Sequence, residues 1–576
     1  MSLRRIDTRW WLLMLTAALV IAAGLGLRDP WPSDEPRFAL VARQMVESGN
    51  WWFPHRGSEL YSDKPPMLMW WQAALYSLLG NWRVAFLLPS LMAAMVTLAC
   101  VVDLGSRLWN RRVGLYAGWA LLLAVQFVFQ AKKAQIDPLV VMFITLANYG
   151  LLRHLLLGPA WRWWALGWLA AGLGVITKGV GVLALLMLLP AALASRAGWR
   201  GVAVQAGDRR FWIGPACFLL AIALWLVPVL VQALATGLPE YRAYLHDILL
   251  RQTAGRYTRS WDHHQPPWYF LGTMATLWLP TVLLLPWALP AWWRRLRRRD
   301  ARYLLPLAWW LLLLVFFSLP DGKRDVYLLP ALPMLCLALA PLLPGLLRRR
   351  DVQAVLAATA VLLSLSLLWA GAAVVLGEPG FEQRLMAERG IGAATTAALG
   401  WCVLAMGAGG VAALAWLGWR RGHQVWALLL SVVWVIYGLC GYPLLNDSSS
   451  ARGTMQRAGQ LIGPRGELGL VGWKEQNLLM ADRPARDFGF KRDWLRQLDD
   501  GIAWQQQAPA RRWLFVQEPL LLSCIDRAQA QWAGTANRRR WWLVPGAAVA
   551  TNCRATAAEV QRVRQAQGRA EEVDED

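Results

Sequence analysis

Apolar runs of about 20 residues, each able to cross a hydrocarbon layer roughly 30 Å thick, recur along the chain from Trp10 to Leu444. Inside lipid, every backbone N–H and C=O must be bonded within the protein, so runs of this length select helices. We read about 13 of them, at 10–27, 82–104, 113–130, 136–157, 161–177, 180–195, 211–236, 267–291, 302–319, 325–346, 353–376, 393–418 and 424–444. Hydrophobic residues make up 57% of the 576 positions, too many for a soluble chain of this length. The expected fold class is an α-helical polytopic membrane protein. A different composition begins at residue 445. Short strand-like segments at Leu468–Trp473, Trp513–Gln517 and Arg540–Val544 alternate with helical stretches, which predicts a small C-terminal α/β domain. The division expected is therefore 1–444 for the membrane part, with a first external loop at 28–81, and 445–576 for the appended domain. The acidic end, residues 571–576, reads as a disordered tail.

A formal charge of +23 would suggest nucleic acid in a soluble protein, but here the arginines gather at alternate span ends. Arg4, Arg5 and Arg9, Arg107, Arg111 and Arg112, the cluster Arg294 to Arg302, and Arg348 to Arg350 mark one side as cytoplasmic. Nucleic acid is thereby excluded as a partner. An odd number of crossings puts the 28–81 loop, the 237–266 loop and everything after residue 444 on the outer side. The basic start with its apolar run resembles a signal peptide, but Arg28-Asp29-Pro30 offers no small-residue cleavage pattern, so it reads as a retained span. Cys100, Cys217, Cys336, Cys402 and Cys440 lie in or beside spans without metal spacing. Cys524 and Cys553 lie in the outer segment, where an oxidising compartment would permit a disulfide.

The first external loop is too elaborate for an anchor. Pro36 to Glu47 places Phe38, Val41 and Met45 on one helical face, the pattern of a helix lying on a membrane surface, and a second helix is expected to start at Pro65. Asp34 stands before the first helix and Lys64 before the second. Asp34 either caps its helix or faces a cavity beneath the loop, where it would accept a proton from, or orient, an attacking oxygen. Lys64 is either a headgroup-level anchor or a ligand for an anion.

Further cations recur on the outer face: Lys132 and Lys133, Lys178 in Thr177-Lys178-Gly179, and Lys323-Arg324. Basic residues on this side break the positive-inside pattern and need a reason. A phosphate held at the outer surface supplies one, and phosphate is the leaving group of lipid-linked sugars. Asp137, at the mouth of a span, either neutralises Lys132 or Lys133 or faces the same cavity as Asp34. His263-His264 could join Asp63 or Glu35 around a divalent metal, but the ligands are scattered. No metal residue is assigned, and a divalent metal stays possible.

The runs Ser33-Asp34-Glu35-Pro36-Arg37-Phe38-Ala39, Asp63-Lys64-Pro65-Pro66, Thr177-Lys178-Gly179, His263-His264-Gln265-Pro266-Pro267-Trp268-Tyr269 and Lys323-Arg324-Asp325-Val326-Tyr327-Leu328-Leu329-Pro330 resemble the bacterial aminoarabinose transferase and protein O-mannosyltransferase-like group of membrane glycosyltransferases. The resemblance implies a GT-C fold, a polyprenyl-phosphate sugar donor, Asp34 as main catalytic residue and Asp137 as a second, and Lys64 on the donor phosphate. It puts Arg256, His263, Lys323 and Tyr327 at or near active-site positions. Glu35, Arg37, Tyr61, Asp63, Lys178 and Arg324, within or beside the motifs, complete the substrate-binding set. The chain departs from the group's pattern at Phe38, where Tyr is frequent, at Asp63, where Glu is frequent, and at Asp247-Ile248, where an acidic-His pair is usual.

The expected activity is inverting transfer of a sugar from a polyprenyl phosphate to lipid A, another glycan or a protein, on the periplasmic face of a bacterial inner membrane. The competing class is a transporter or flippase of lipid-linked sugars, which predicts functional polar residues at the bilayer midplane and repeated halves. A scaffold whose C-terminal domain binds a partner is a third.

Overall fold

The structure, a computed structural model, describes residues 8–199, 201–249, 264–378 and 389–575, with 380, 382, 383 and 386 between the last two stretches. Every apolar run read from the sequence is helical. Among the described residues, eight helices are long and apolar enough to cross a membrane, and ten if each of two bent pairs is one span. Thr8–Ala22 and Asp325–Leu339 are shorter apolar helices. The bent pairs are Arg111–Leu122 with Val125–Ala131, at 69°, and Tyr269–Leu277 with Thr281–Arg297, at 101°. Pro280 sits in the second break, where it has no N–H to continue the ladder.

The helices pack through small residues. A Cβ on Gly150 would come within 2.4 Å of the Trp163 carbonyl, so Gly150 allows Ile136–Leu157 and Trp161–Val175 to cross in near backbone contact. Leu219, Leu224, Val227 and Val231 stay exposed on Ile213–Thr236, as a helix bordering lipid requires.

The first loop forms a two-stranded ribbon, β1 (His55–Arg56) with β2 (Glu59–Leu60), between helices Glu35–Ser48 and Met67–Leu79. The second helix starts two residues later than expected because Pro65 and Pro66 precede it as turn and cap. The first does not lie on an open membrane surface. Phe38, Val41 and Met45 join the membrane-side core, while Ala39 and Leu40 pack into a second core with Ala451, Met455, Leu470 and Trp473. Its other face is thus also apolar, and the C-terminal segment covers it.

That segment carries a five-stranded sheet: β3 (Glu467–Val471), β4 (Ala485–Asp487), β5 (Arg512–Gln517), β6 (Gln531–Ala536) and β7 (Arg539–Pro545), in the order β4-β3-β5-β7-β6. β3 runs parallel to β4 and β5; β7 runs antiparallel to β5 and β6. Strand alternation sends Leu514 and Val516 to one core and Phe515 to the other, where it stacks on Trp541 at 4.7 Å. Cys524 and Cys553 are joined by a disulfide. The acidic end is not a disordered tail: Ala557–Glu575 is one helix, in which alanines and glutamines sustain the turn.

Candidate active site

Loop and bundle enclose a cavity of about 1230 Å³, walled by the first loop, the 129–140 segment, Val175 to Val180, and Phe316 to Pro330. Asp34, Asp137, Glu35, Arg37, Asp63, Lys64, Lys178, Arg324 and Tyr327 all line it. Residues spread over nearly 300 positions therefore share one space.

Asp34 stands at the N-cap position of Glu35–Ser48 but makes no capping hydrogen bond with its side chain. Its carboxylate instead accepts from Gln135 Nε2 at 3.1 Å and lies 3.7 Å from Arg37 Nη1. The capping alternative is thus not the one adopted. Asp137, on the first turn of Ile136–Leu157, neutralises neither Lys132 nor Lys133; it accepts from Lys178 Nζ at 2.7 Å. The Lys178 ammonium also stands 4.8 Å from the Tyr327 ring, a cation–π distance.

Other candidates are built into the walls. Glu35 receives both guanidinium nitrogens of Arg28, one at 2.7 Å, and the backbone N–H groups of Trp31 (2.9 Å) and Ala134 (2.8 Å). Protein donors occupy both of its oxygens, so within the wall it braces the loop against the 131–135 segment. Arg28 adds a bond to the Lys132 carbonyl at 3.0 Å. Lys132 is buried, with Nζ on the carbonyls of Ala23 (2.7 Å) and Ile21 (3.2 Å); burial and the nearby Arg28 charge pull its pKa down to about 7. Lys133 also lines the cavity, with its ammonium 3.9 Å over the Phe129 ring, and burial lowers its pKa as well.

Four expected substrate contacts lie outside the cavity wall or outside the described residues. Lys323 is buried with Nζ on the Gln265 carbonyl at 2.8 Å, tying the 264–266 segment to the 319–325 loop, and it is not part of the cavity wall. Tyr61 is fully buried beneath the ribbon, also outside the wall; burial raises its pKa. Arg256 and His263 fall outside the described residues. His264 bridges to Gly322 through the backbone. Among the described residues, no three His, Cys, Asp or Glu side chains converge as a metal site. Ile248 lines the cavity with an apolar side chain.

The sequence reading missed Arg56, Arg389, Asn537 and Arg538 in the wall, and the ion-pair partners Glu475 and Lys491. Arg37 Nε donates to Glu475 Oε1 at 3.2 Å across 438 positions. Arg56 Nη1 lies 3.5 Å from both Glu475 and Asp63, and Lys491 Nζ 3.4 Å from Asp63. Burial works against the charges of Arg37 and Asp63, but these partners outweigh it: the pKa of Arg37 is raised and that of Asp63 lowered. Arg389, Asn537 and Arg538 also line the cavity. Arg56 had no motif around it, and Glu475 no sequence neighbour pointing to the loop.

Comparison with known proteins bears on the fold and the sequence group. Residues 63–232 match the family profile described as dolichyl-phosphate-mannose-protein mannosyltransferase. The chain is 29% identical over 344 residues to an undecaprenyl phosphate-alpha-4-amino-4-deoxy-L-arabinose arabinosyl transferase of Pectobacterium carotovorum, covering 58% of this chain and 59% of that protein. It thus spans about three-fifths of the length of that relative. A Pseudomonas paraeruginosa protein of the same name is 29% identical over 461 residues, 76% of each chain. The crystal structure of ArnT from Cupriavidus metallidurans bound to undecaprenyl phosphate superposes with a TM-score of 0.72 at 19% identity, covering 95% of this chain and 100% of that one. The chain therefore has the GT-C fold and is similar in sequence to the aminoarabinose transferase and protein O-mannosyltransferase-like group.

Proposed function

We propose that the protein is an inverting glycosyltransferase that takes a sugar from a polyprenyl phosphate and places it on a lipid A-like acceptor, another glycan or a protein. The observation that carries this reading is the shared cavity: an uncapped carboxylate, Asp34, faces the same space as Lys64, Arg37 and the Asp137–Lys178 pair. The similarity to undecaprenyl phosphate-dependent arabinosyl transferases favours a polyprenyl donor.

The chemistry follows from charge. As the bond from the anomeric carbon to the phosphate oxygen breaks, positive charge builds on the sugar and negative charge on the departing phosphate. Lys64 is assigned to the phosphate. If the attacking group is a hydroxyl, Asp34 takes its proton as the new bond forms; if it is a phosphate, already anionic, Asp34 positions it or stabilises the sugar cation. The Gln135 bond holds the Asp34 carboxylate in place for either role. One displacement inverts the anomeric centre.

In this reading residues 1–444 hold the catalytic machinery and residues 445–576 sit above it on the periplasmic side of a bacterial inner membrane. The arginine asymmetry and the Cys524–Cys553 disulfide favour that side. The test is mass spectrometry of lipids and glycoproteins extracted from cells with and without the protein. Loss of a pentose, aminopentose or hexose adduct is expected; an unchanged glycolipid and glycoprotein profile would overturn the reading.

A further inference from the structure

We propose that the turn Asn537–Arg538, at the tip of the β6–β7 hairpin, acts with Arg389 to bind a phosphate of the acceptor lipid. The C-terminal unit then helps determine which acceptor is used. The proposal rests on the glycosyltransferase reading and deepens it.

The hairpin tip reaches the reaction space. Asn537, Arg538 and Arg389 line the same cavity as Asp34 and Asp137. The tip is anchored there: the Asn537 N–H donates to the Ser448 carbonyl at 3.1 Å, and Ser448 is itself part of the wall. Gly390, next to Arg389, lies against strand β6, since a Cβ there would stand 3.0 Å from the Thr535 Cβ. The side-chain nitrogen of Asn537 is buried without a hydrogen-bond partner among the described residues, a donor available to a ligand oxygen.

The turn residues themselves are telling. Ala536 pairs with Arg539, which leaves a two-residue turn with φ of 52° at Asn537 and 61° at Arg538. Both values are left-handed, and such a turn favours Asn followed by Gly. Asn is present, but the second position holds arginine, whose Cβ is crowded in that conformation. That arginine lines the cavity, and its planar guanidinium fork matches phosphate oxygens.

Charge logic points to the acceptor. Joining a polyprenyl phosphate to a phosphorylated lipid brings two anions into one cavity, which calls for cations on separate elements. Lys64 and Arg56 stand on the first loop, while Arg389 and Arg538 stand on the segment and hairpin opposite them in sequence order. With the donor phosphate assigned to Lys64, the second set serves the acceptor.

The experiment uses the full chain in lipid nanodiscs and measures binding of three probes: bis-phosphorylated lipid A, lipid A stripped of both phosphates, and undecaprenyl phosphate. Arg538→Gly preserves the turn, since it creates the favoured Asn-Gly pair, and removes the side chain that carries the guanidinium. We expect Arg538→Gly and Arg389→Gln each to weaken bis-phosphorylated lipid A binding about tenfold. Both leave undecaprenyl phosphate and the stripped lipid unaffected, and Arg538→Lys falls between. Unchanged lipid A binding in Arg538→Gly, no lipid A binding by the unaltered protein, or loss of undecaprenyl phosphate binding instead would overturn the proposal. A protein that shows the expected pattern yet transfers no sugar would sink the glycosyltransferase reading and leave the hairpin's role as phosphate ligand standing.

Discussion

The Lys178 ammonium donates to Asp137 Oδ1 at 2.7 Å, joining the start of Ile136–Leu157 to the turn before Gly179–Met187. Both side chains are mostly enclosed, so each is the other's main compensation. We expect Asp137→Asn and Lys178→Ala each to lower sugar transfer at least about tenfold, and the double variant to lose much less than the product of the two. Transfer rates in membranes for the singles and the double check this; multiplicative losses would show that the pair does not act as a unit.

Asp34→Asn and Lys64→Ala are expected to reduce transfer by on the order of a hundredfold or more while membrane insertion stays normal. Asp34 makes no capping bond, so its loss leaves the Glu35–Ser48 helix without a missing partner. Full activity of either variant, at equal protein in the membrane, would remove that residue from the mechanism.

Glu475 is buried between Arg37 and Arg56, linking the C-terminal segment to the first loop. Glu475→Gln keeps the shape and leaves two guanidinium groups without its charge, a loss of about 3 kcal/mol by analogy with other broken buried pairs. Thermal unfolding in detergent should show a lower transition temperature; an unshifted melt would mean that the other contacts between loop and C-terminal segment, among them those of Ala39 and Leu40, suffice to hold the two parts together.

Burial pushes the Asp29 carboxyl upward, but hydrogen bonds from Arg452, Arg83 and Asn446 outweigh it and bring the pKa from 3.8 down to about 2. A depressed carboxylate stabilises the fold above its unfolded pKa, and that contribution is lost as pH falls through the folded value. Between pH 3.8 and 2 the unfolded chain binds the extra proton, so stability drops with falling pH in that window. Tryptophan fluorescence during acid titration should show this slope, and Asp29→Asn should flatten it; an identical slope in the variant would assign the acid sensitivity to other groups.

Long apolar runs were legible as helices because lipid leaves the backbone no alternative, and strands β3, β5 and β7 because their residues alternate between two cores. Strands β4 and β6 were not read. β4 has three residues, and β6 holds Gly534 with a register shift beside it, so neither carries a clean alternation. Of the site, Asp34, Asp137, Lys64 and Lys178 were visible as charges out of place beside apolar spans. Lys132, Lys323 and Glu35 carried the same signal, yet their charges are consumed by backbone carbonyls or by Arg28.

The sequence by itself determined the membrane class and the set of charged groups out of place at span ends. Composition and spacing are local properties, and the bilayer reads them locally. Only the tertiary structure decided which of those charges meet a cavity and which are spent within the walls, and it alone brought Glu475 to Arg37 and the Asn537–Arg538 turn into the same space. Pairing of charges depends on distances that close across hundreds of residues, and no run of neighbours encodes such a distance.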